Sequence, residues 1–265
     1  MGLLCAEKRD ESAVTLPRLY YPGPLSVGSC CVLVEDDLHY VRSVMRMRAD
    51  DRLTLFDGTG RDHSAVIVTI SAEQALVEIL DTNAAADRPA RITLIQALPK
   101  AQKMDFIVQK ATELGVDEIR PFSSERSVPI LGPEKALHKI NRWRKIAREA
   151  AKQCRRCDVP AITEIQDFTD MLKASEPDAA KLIFWEEESR LGLKKALQRF
   201  SGARDFSFLV GPEGGLTPEE VEQARTSGFV SVGLGKQILK LETAAIAILA
   251  ILQYEAGLFD AFSEK

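Results

Sequence analysis

The pattern of hydrophobic residues changes near residue 90, and this change constrains the fold more than any other feature of the chain. Residues 92–98 form a nearly continuous apolar run, which is typical of a strand covered on both faces. Apolar positions at helical spacing follow and end at Gly115, a residue suited to the position after a helix. Further apolar runs and helical segments alternate to the C-terminus, including a basic helix over 133–153. This alternation predicts an α/β domain with a parallel sheet and right-handed crossovers.

The chain before residue 83 carries a different pattern. Short segments alternate apolar and polar residues, as half-buried strands do, and turn signals at 57–60 separate two of them. Asp36 is a candidate cap for one short helix. Several short strands in so few residues predict a small β-barrel. We therefore expect four parts: a leader at 1–16, the barrel at 17–82, a linker at 83–91 and the α/β domain at 92–265.

The net charge of −4 argues against a protein coated in basic surface, but charge is unevenly distributed along the sequence. Residues 88–156 hold 16 basic and 7 acidic side chains, whereas acidic residues dominate on both sides. An asymmetry of this kind indicates a localised anion-binding face, and its alternative is a solvated helix surface.

Several classes of protein are disfavoured by the sequence. The longest charge-free apolar stretch near the C-terminus, 243–254, is too short to cross a bilayer. The first residues do not resemble a secretory signal, so we expect a cytoplasmic protein. Five cysteines make an odd count, and the single CxxC at Cys154 and Cys157 has no second pair. We therefore expect free thiols, no metal and no membrane partner.

A glycine-rich segment at 211–215, GPEGG, lies between a predicted strand and a helix that Thr217 caps. Ligands bind at this end of the strands in open α/β sheets. The segment matches neither a phosphate loop nor a dinucleotide fingerprint, which disfavours a nucleotide-dependent enzyme. It is suited to an uncharged or cationic group, and its alternative is an ordinary turn.

Two other loops follow predicted strands in the same way. One is WEEES at 185–189, and the other is 233–243, which contains Glu242 at the start of a helix. Glu242 has a structural alternative as a helix cap. Three loops after three strands can form one pocket at the carboxyl edge of the sheet.

Arginines are the candidate contacts to a nucleic acid backbone, because the guanidinium group pairs with phosphate in a bidentate manner. On the basic helix, cations recur every three or four residues, so most share one face. Solvated surface arginines are the alternative in both halves of the chain. The candidate RNA-binding residues are Arg18, Arg42, Arg46, Arg142, Arg148 and Arg156.

Several ordered motifs resemble those of a known family. LVGPEGGLTPEE, followed by GLGKQILKLETAAIAILAIL, is similar to the C-terminal signature of the SPOUT-class RNA methyltransferases. More closely, it resembles the ribosomal RNA small-subunit methyltransferase E family, which methylates N3 of a uridine. PRLYYPGPL near the N-terminus and RWRKIAREAAKQC in the basic helix also agree, so the resemblance spans about residues 17–258.

The resemblance implies a PUA-like barrel and an α/β domain with a trefoil knot. It also implies a homodimer, small-subunit ribosomal RNA as substrate, within a ribosomal particle, and S-adenosylmethionine (SAM) as methyl donor. A pocket without inward lysines would suit the sulfonium cation of SAM. The cofactor-binding residues carried over are Trp185, Glu186, Val210, Gly211, Pro212, Glu213, Gly214, Gly215, Leu234, Gly235, Ile238 and Leu239.

Two residues are candidates for catalysis. Methylation of uridine N3 requires loss of its proton, so we expect Glu242 to act as the base or to orient the uridine. Lys240 is the candidate cation that stabilises the uridine anion, and its alternative role is a contact with an RNA phosphate. The family usually has Arg where Lys240 stands, and Lys lacks the bidentate fork of Arg. Methylation of another RNA and a non-catalytic RNA-binding role are the alternatives to this function.

Overall fold

The computed structural model describes residues 16–84, 88, 90–127, 132–175 and 179–259, and these form two compact units that divide after Ala84. The predicted leader lies outside the described residues except for its last residue. So do residues 85–87 and 89 of the predicted linker and the last six residues of the chain.

The first unit contains one five-stranded sheet with the strand order β1-β3-β4-β5-β2. Four strand pairs join its members; β1 and β3 are parallel, and the other pairs are antiparallel. The elements are β1 (Arg18–Tyr20), β2 (Cys30–Leu33), α1 (Glu35–His39), a π-helical turn (Tyr40–Val44), β3 (Arg52–Phe56), β4 (Arg61–Ile70) and β5 (Ala75–Ala84).

Alternating burial confirms the period-two pattern of this unit. Along β3, Leu53 and Leu55 are fully buried, and Ile67 of β4 lies in the same core. Two details differ from the prediction. Strand β1 was not predicted, because its three residues are too few to show a period. Asp36 does not cap α1, because the helix begins one residue earlier and Val34 occupies the cap position.

The second unit contains a seven-stranded parallel sheet with the strand order β12-β10-β11-β6-β7-β8, and β9 also pairs with β7. Its elements are β6 (Arg91–Ala97), α2 (Lys103–Glu113), β7 (Glu118–Ser123), α3 (Pro133–Cys154), β8 (Ala161–Ile162), β9 (Gln166–Asp167), α4 (Phe168–Lys173), β10 (Ala180–Phe184), α5 (Leu193–Arg199), β11 (Asp205–Val210), α6 (Pro218–Thr226), β12 (Val230–Val232) and α7 (Leu241–Glu255).

Both faces of this sheet are covered, which explains the continuous apolar runs of its strands. Leu94 of β6 packs into a core that α2, α3, α5 and α7 share. Its neighbour Ile95 packs into a separate core with α4 and α6. The predicted α/β class with a parallel sheet is confirmed, whereas the trefoil knot stays a prediction. No helix among the described residues is long and apolar enough to span a membrane.

The last helix, α7, is less buried than its composition predicts. Ile248 and Leu249 are fully buried against the sheet, but the Ile251 residue is 39% exposed and Tyr254 is 68% exposed. The helix is therefore apolar on two faces. One face packs into the core, and the other is not covered by any described residue of this chain.

Candidate functional site

The three loops singled out from the sequence emerge side by side. They follow β10, β11 and β12, which are adjacent and parallel in the order β12-β10-β11, so their carboxyl ends meet at one edge of the sheet. Strand β6 pairs with β11 on the other side, which brings a fourth loop, 98–102, to the same edge. This fourth loop was not predicted as part of the site.

The GPEGG loop turns tightly at the end of β11. The N–H of Gly215 donates to the carbonyl of Pro212 at 3.0 Å, and Gly215 has a φ of +71°, which side chains other than glycine rarely adopt. A Cβ atom at Gly215 would lie 1.9 Å from Glu186 Oε1. The carboxylate of Glu186 thus rests directly on the GPEGG loop, which places two of the predicted cofactor loops in contact.

The helix after this loop begins with the predicted capping box. Thr217 Oγ1 accepts a hydrogen bond from the N–H of Glu220, and the Glu220 carboxylate accepts one from the N–H of Thr217. The second Glu220 oxygen accepts from the N–H of Glu125 at 2.9 Å. Arg126 donates to the carbonyl of Gly214 at 3.1 Å. These bonds fix the GPEGG loop against the loop that follows β7.

The loop after β12 is held at its start by the loop after β10. The N–H of Gly233 donates to the carbonyl of Leu191 at 2.9 Å, and a Cβ at Gly233 would lie 2.2 Å from the carbonyl oxygen of Glu188. Farther on, the loop is open to solvent, and the Ile238 side chain stands out with 90% exposure.

The backbone of residues 234–239 fits a bound ligand. Their N–H groups donate to no other described residue, although Leu234 and Leu239 pack against the core and hold the loop in place. Backbone polar groups need a partner, and in such a loop the partner is water or a ligand. Three carboxylates, Glu186, Glu213 and Glu242, belong to the same set of loops and suit a cationic group. The arrangement therefore fits SAM, which combines an adenine edge with a sulfonium cation.

One lysine reaches this site, contrary to the expectation of a pocket without inward lysines. Lys103 Nζ, at the start of α2, lies 3.1 Å from Glu213 Oε1 and 3.4 Å from Glu242 Oε2. The N–H of Lys100 also donates to both Glu213 oxygens, at 3.1 and 3.2 Å. Between them Ala101 has a φ of +55°, a strained backbone for a residue with a side chain.

The charges of this cluster stabilise one another. Partial burial opposes the charge of Glu213, but the Lys103 ammonium and nearby backbone N–H groups outweigh that effect and lower the pKa of Glu213 below its usual value. Hydrogen bonding to Glu213 likewise raises the pKa of Lys103, with a smaller contribution from Glu242. Both groups are therefore charged at neutral pH.

The two predicted catalytic residues lie at the start of α7. Lys240 occupies the cap position and is exposed, without a side-chain hydrogen bond to the helix. Glu242 lies in the first turn and is partly buried. Its Oε2 atom is shielded from solvent and makes no hydrogen bond to any described residue, so the Lys103 ammonium is its nearby ionic partner.

Trp185 begins the loop after β10. Its indole Nε1 is buried without a hydrogen-bond partner among the described residues, and the Arg225 guanidinium lies 5.8 Å from the centre of its ring. Arg225 also pairs with Glu188 at 3.0 Å. Burial opposes the charge of Glu188, but the N–H of Arg190 and the Arg225 guanidinium outweigh it, so the pKa of Glu188 is lowered.

The candidate RNA-binding arginines of the first unit differ in environment. Arg18 donates two hydrogen bonds to Asp62, both 2.6 Å long, its guanidinium lies 4.6 Å from the centre of the Phe56 ring, and its side chain is 12% exposed. These contacts indicate a structural role. Arg42 and Arg46 are exposed, and Arg42 donates to the carbonyl of Ala72 at 3.2 Å.

The candidates of the second unit are also unequal. Arg142 is exposed on α3 and pairs with Asp105 at 2.6 Å. Arg148 is half-buried on the same helix. Arg156 has an 11% exposed side chain, which donates to both Asp158 oxygens and to the carbonyl of Thr112. Like Arg18, Arg156 therefore has contacts that indicate a structural role rather than exposure to RNA.

The cysteines and the candidate metal ligands were also compared with the prediction. Cys30, Cys31, Cys154 and Cys157 are free thiols, and burial raises the pKa of Cys31 to about 11. Among the described residues, no group of histidine, cysteine and carboxylate side chains is arranged to hold a metal ion.

Comparisons with known proteins agree with this architecture. The RNA methyltransferase domain family matches residues 86–253, and the RNA methyltransferase PUA domain family matches residues 33–80. The ribosomal RNA small subunit methyltransferase E of Bacillus subtilis is 32% identical over 228 residues, which cover 84% of this chain and 89% of that protein.

Solved structures give the same result. The enzyme of that name from Neisseria gonorrhoeae, bound to SAM, is 35% identical, with a TM-score of 0.80 over 90% of this chain and 97% of that one. A putative methyltransferase from Legionella pneumophila with bound SAM is 30% identical, with a TM-score of 0.81 over 91% of this chain and 98% of that one. By sequence and by structure, the chain belongs to the ribosomal RNA small subunit methyltransferase E family.

Proposed function

We propose that this chain transfers a methyl group from SAM to N3 of a uridine in small-subunit ribosomal RNA. The observation that carries the proposal is the convergence of three loops at one sheet edge, with carboxylates around them and a backbone at 234–239 whose N–H groups donate to no other described residue. Family membership supports the reaction and the RNA class. The uridine N3 specificity is the expectation of the resemblance.

The cofactor is held by the residues predicted for it, from Trp185 and Glu186, from the GPEGG loop, and from the loop after β12. When bound, SAM supplies a methyl carbon attached to a positively charged sulfur. Glu186 and Glu213 complement that charge, and the N–H and carbonyl groups of 234–239, which pair with no other described residue, are suited to the adenine edge.

Glu242 receives the proton of uridine N3 in this proposal. Lys103 connects its carboxylate to Glu213 of the GPEGG loop, so it is placed to act on a base brought to the cofactor. Lys240, exposed two residues earlier, stabilises the negative charge that develops on the uridine oxygens. Orientation of N3 against the methyl group contributes the rest of the acceleration.

RNA contact is assigned to exposed cations in both units. Arg42 and Arg46 in the first unit and Arg142 on α3 are exposed, and Arg148 lies on α3 beside other basic residues. Such contacts neutralise phosphates and make affinity depend on salt. The assembly we propose is a homodimer acting in the cytoplasm on a ribosomal particle; the open apolar side chains Ile251 and Tyr254 of α7 support a protein interface.

The decisive experiment incubates the protein with methyl-labelled SAM and unmodified small ribosomal subunits, then identifies the labelled nucleoside. We expect 3-methyluridine. A different methylated nucleoside would overturn the N3 assignment, and label confined to another RNA would overturn the substrate. Absence of heat on titration with SAM would identify a non-catalytic RNA-binding protein.

A further inference from the structure

Lys103 stands out among the side chains of the site because it contacts two functional loops at once. Its ammonium bridges Glu213 of the GPEGG loop and Glu242 of α7, at 3.1 and 3.4 Å. These carboxylates lie 29 positions apart in the sequence and belong to different elements. Lys103 itself comes from a third element, α2, at the end of the fourth loop of the sheet edge.

Without Lys103, the Glu242 carboxylate would be poorly placed. Its Oε2 atom is shielded from solvent and has no hydrogen-bond donor among the described residues. A carboxylate oxygen in that position needs a nearby cation, because burial of an uncompensated charge is costly. Glu213 is a second negative charge on the same ammonium, so removal of the lysine leaves two carboxylates that repel each other.

The fourth loop is shaped to deliver this lysine. The Lys100 N–H donates hydrogen bonds to both oxygens of Glu213. The strained backbone of Ala101 follows directly and turns the chain into α2. Strained residues of this kind persist where the surrounding structure requires them, often at functional sites. Glu213 thus receives two contacts from one short segment, while the Lys103 ammonium extends to Glu242.

We propose that Lys103 is a positioning residue for methyl transfer, which holds the Glu242 carboxylate against the cofactor loop through its shared contact with Glu213. This inference rests on the proposed function of Glu242. Lys103 does not touch the reacting atoms in this scheme. It acts by fixing where the proton acceptor lies relative to the GPEGG loop.

The test compares K103M with two matched variants. K103R keeps the positive charge at the same site. K110M removes a lysine of the same helix that is equally exposed, 36% against 35%, and paired with Glu113 at 2.8 Å. We expect kcat at saturating SAM and RNA to fall by about 100-fold in K103M, because a misplacement of about 1 Å of a reacting group costs about that much in rate. K103R should retain most of this rate, and K110M should match the wild type.

The pair of variants K103M and E242Q shows whether the lysine acts through Glu242. If it does, adding K103M to E242Q lowers kcat no further, because the effects of coupled residues are not additive. A K103M defect that persists in full in the E242Q background would overturn the proposal. So would a defect confined to the affinity for SAM with an unchanged kcat.

A readout that needs no turnover separates this inference from the proposed function. Titration of the Glu213 carboxyl by carbon NMR should show its pKa rising in K103M but not in K110M, because only K103M removes the ammonium beside it. An unchanged titration would overturn the bridging role of Lys103. Absence of methyl transfer by the wild-type chain, with the Glu213 pKa still shifted in K103M, would instead overturn the proposed function.

Discussion

Gly215 offers a direct test of how the GPEGG loop and Glu186 act together. In G215A, two effects combine: the new side chain must adopt a φ of +71°, and its Cβ would meet Glu186 Oε1 at 1.9 Å. The backbone penalty for a non-glycine residue in this region is about 1–2 kcal/mol. The clash itself is relieved by movement of the exposed Glu186 side chain, so it affects the position of the carboxylate more than stability.

Gly228 is the matched control. It has a φ of +89° in the same unit, and a Cβ there would meet no atom within 4 Å. G215A and G228A should therefore lose similar stability, about 1–2 kcal/mol, which lowers Tm by about 2–8 °C in a unit of this size. Only G215A should lose affinity for SAM, by about 10- to 100-fold if one charge-assisted contact is lost.

Thermal unfolding and isothermal titration with SAM measure the two effects separately. E186A should weaken SAM binding to a similar degree, and the combination with G215A should add little, because both changes remove the same carboxylate contact. Equal SAM affinity of G215A and G228A would refute the argument that Glu186 acts from its place on the GPEGG loop.

Substitutions at Glu242, Arg156 and Glu213 test the roles of these residues separately. E242Q should lower kcat for methyl transfer by about 100-fold or more while leaving the SAM dissociation constant near that of the wild type, and unchanged turnover would exclude a catalytic role. R156M should lower the free energy of unfolding by about 1.5–3 kcal/mol, because it removes hydrogen bonds to Asp158 and Thr112, and RNA affinity measured by filter binding should stay the same. The pKa of Glu213 is lowered from an ordinary value of 4.5, so its contribution to stability is complete above that pH and is lost as the pH falls through the folded pKa. Acid unfolding of E213Q should accordingly depend less on pH below about 4.5 than that of the wild type or of E219Q, which changes an exposed glutamate.

The α/β sheet was predictable because its strands are apolar on both faces. Residues such as Leu94 and Ile95 pack into different cores on opposite sides of the sheet, and that arrangement produces the continuous apolar runs in the sequence. The three loops after β10, β11 and β12 were predicted for the same reason. When both faces of a sheet are covered, ligands bind in the loops at the carboxyl ends of its strands.

Long-range pairing limited the prediction of individual side chains. Nothing near Lys103 in the sequence indicates contacts with Glu213 and Glu242, which lie more than one hundred residues away. The position of the fourth loop at the sheet edge could have been predicted, however, because this loop also follows an apolar strand. Arg18 of β1 pairs with Asp62 of β4, which lies on the far side of β3 in the sheet, and a local pattern cannot reveal such a contact. Arg156, in contrast, has Asp158 two residues later, and that spacing is a local sign of an ion pair.

The segregation of charge along the chain follows from the proposed chemistry. A cationic cofactor and a polyanionic substrate require surfaces of opposite sign within one domain. The carboxylates Glu186, Glu213 and Glu242 come from the acidic last third of the sequence, whose loops form the proposed cofactor edge. The basic middle third supplies α3 with its exposed Arg142, and it also supplies Lys103. Lys103 connects the two sets of charges, because this one cation of the basic segment bridges Glu213 and Glu242. Its positive charge offsets the repulsion between these two carboxylates of the acidic edge.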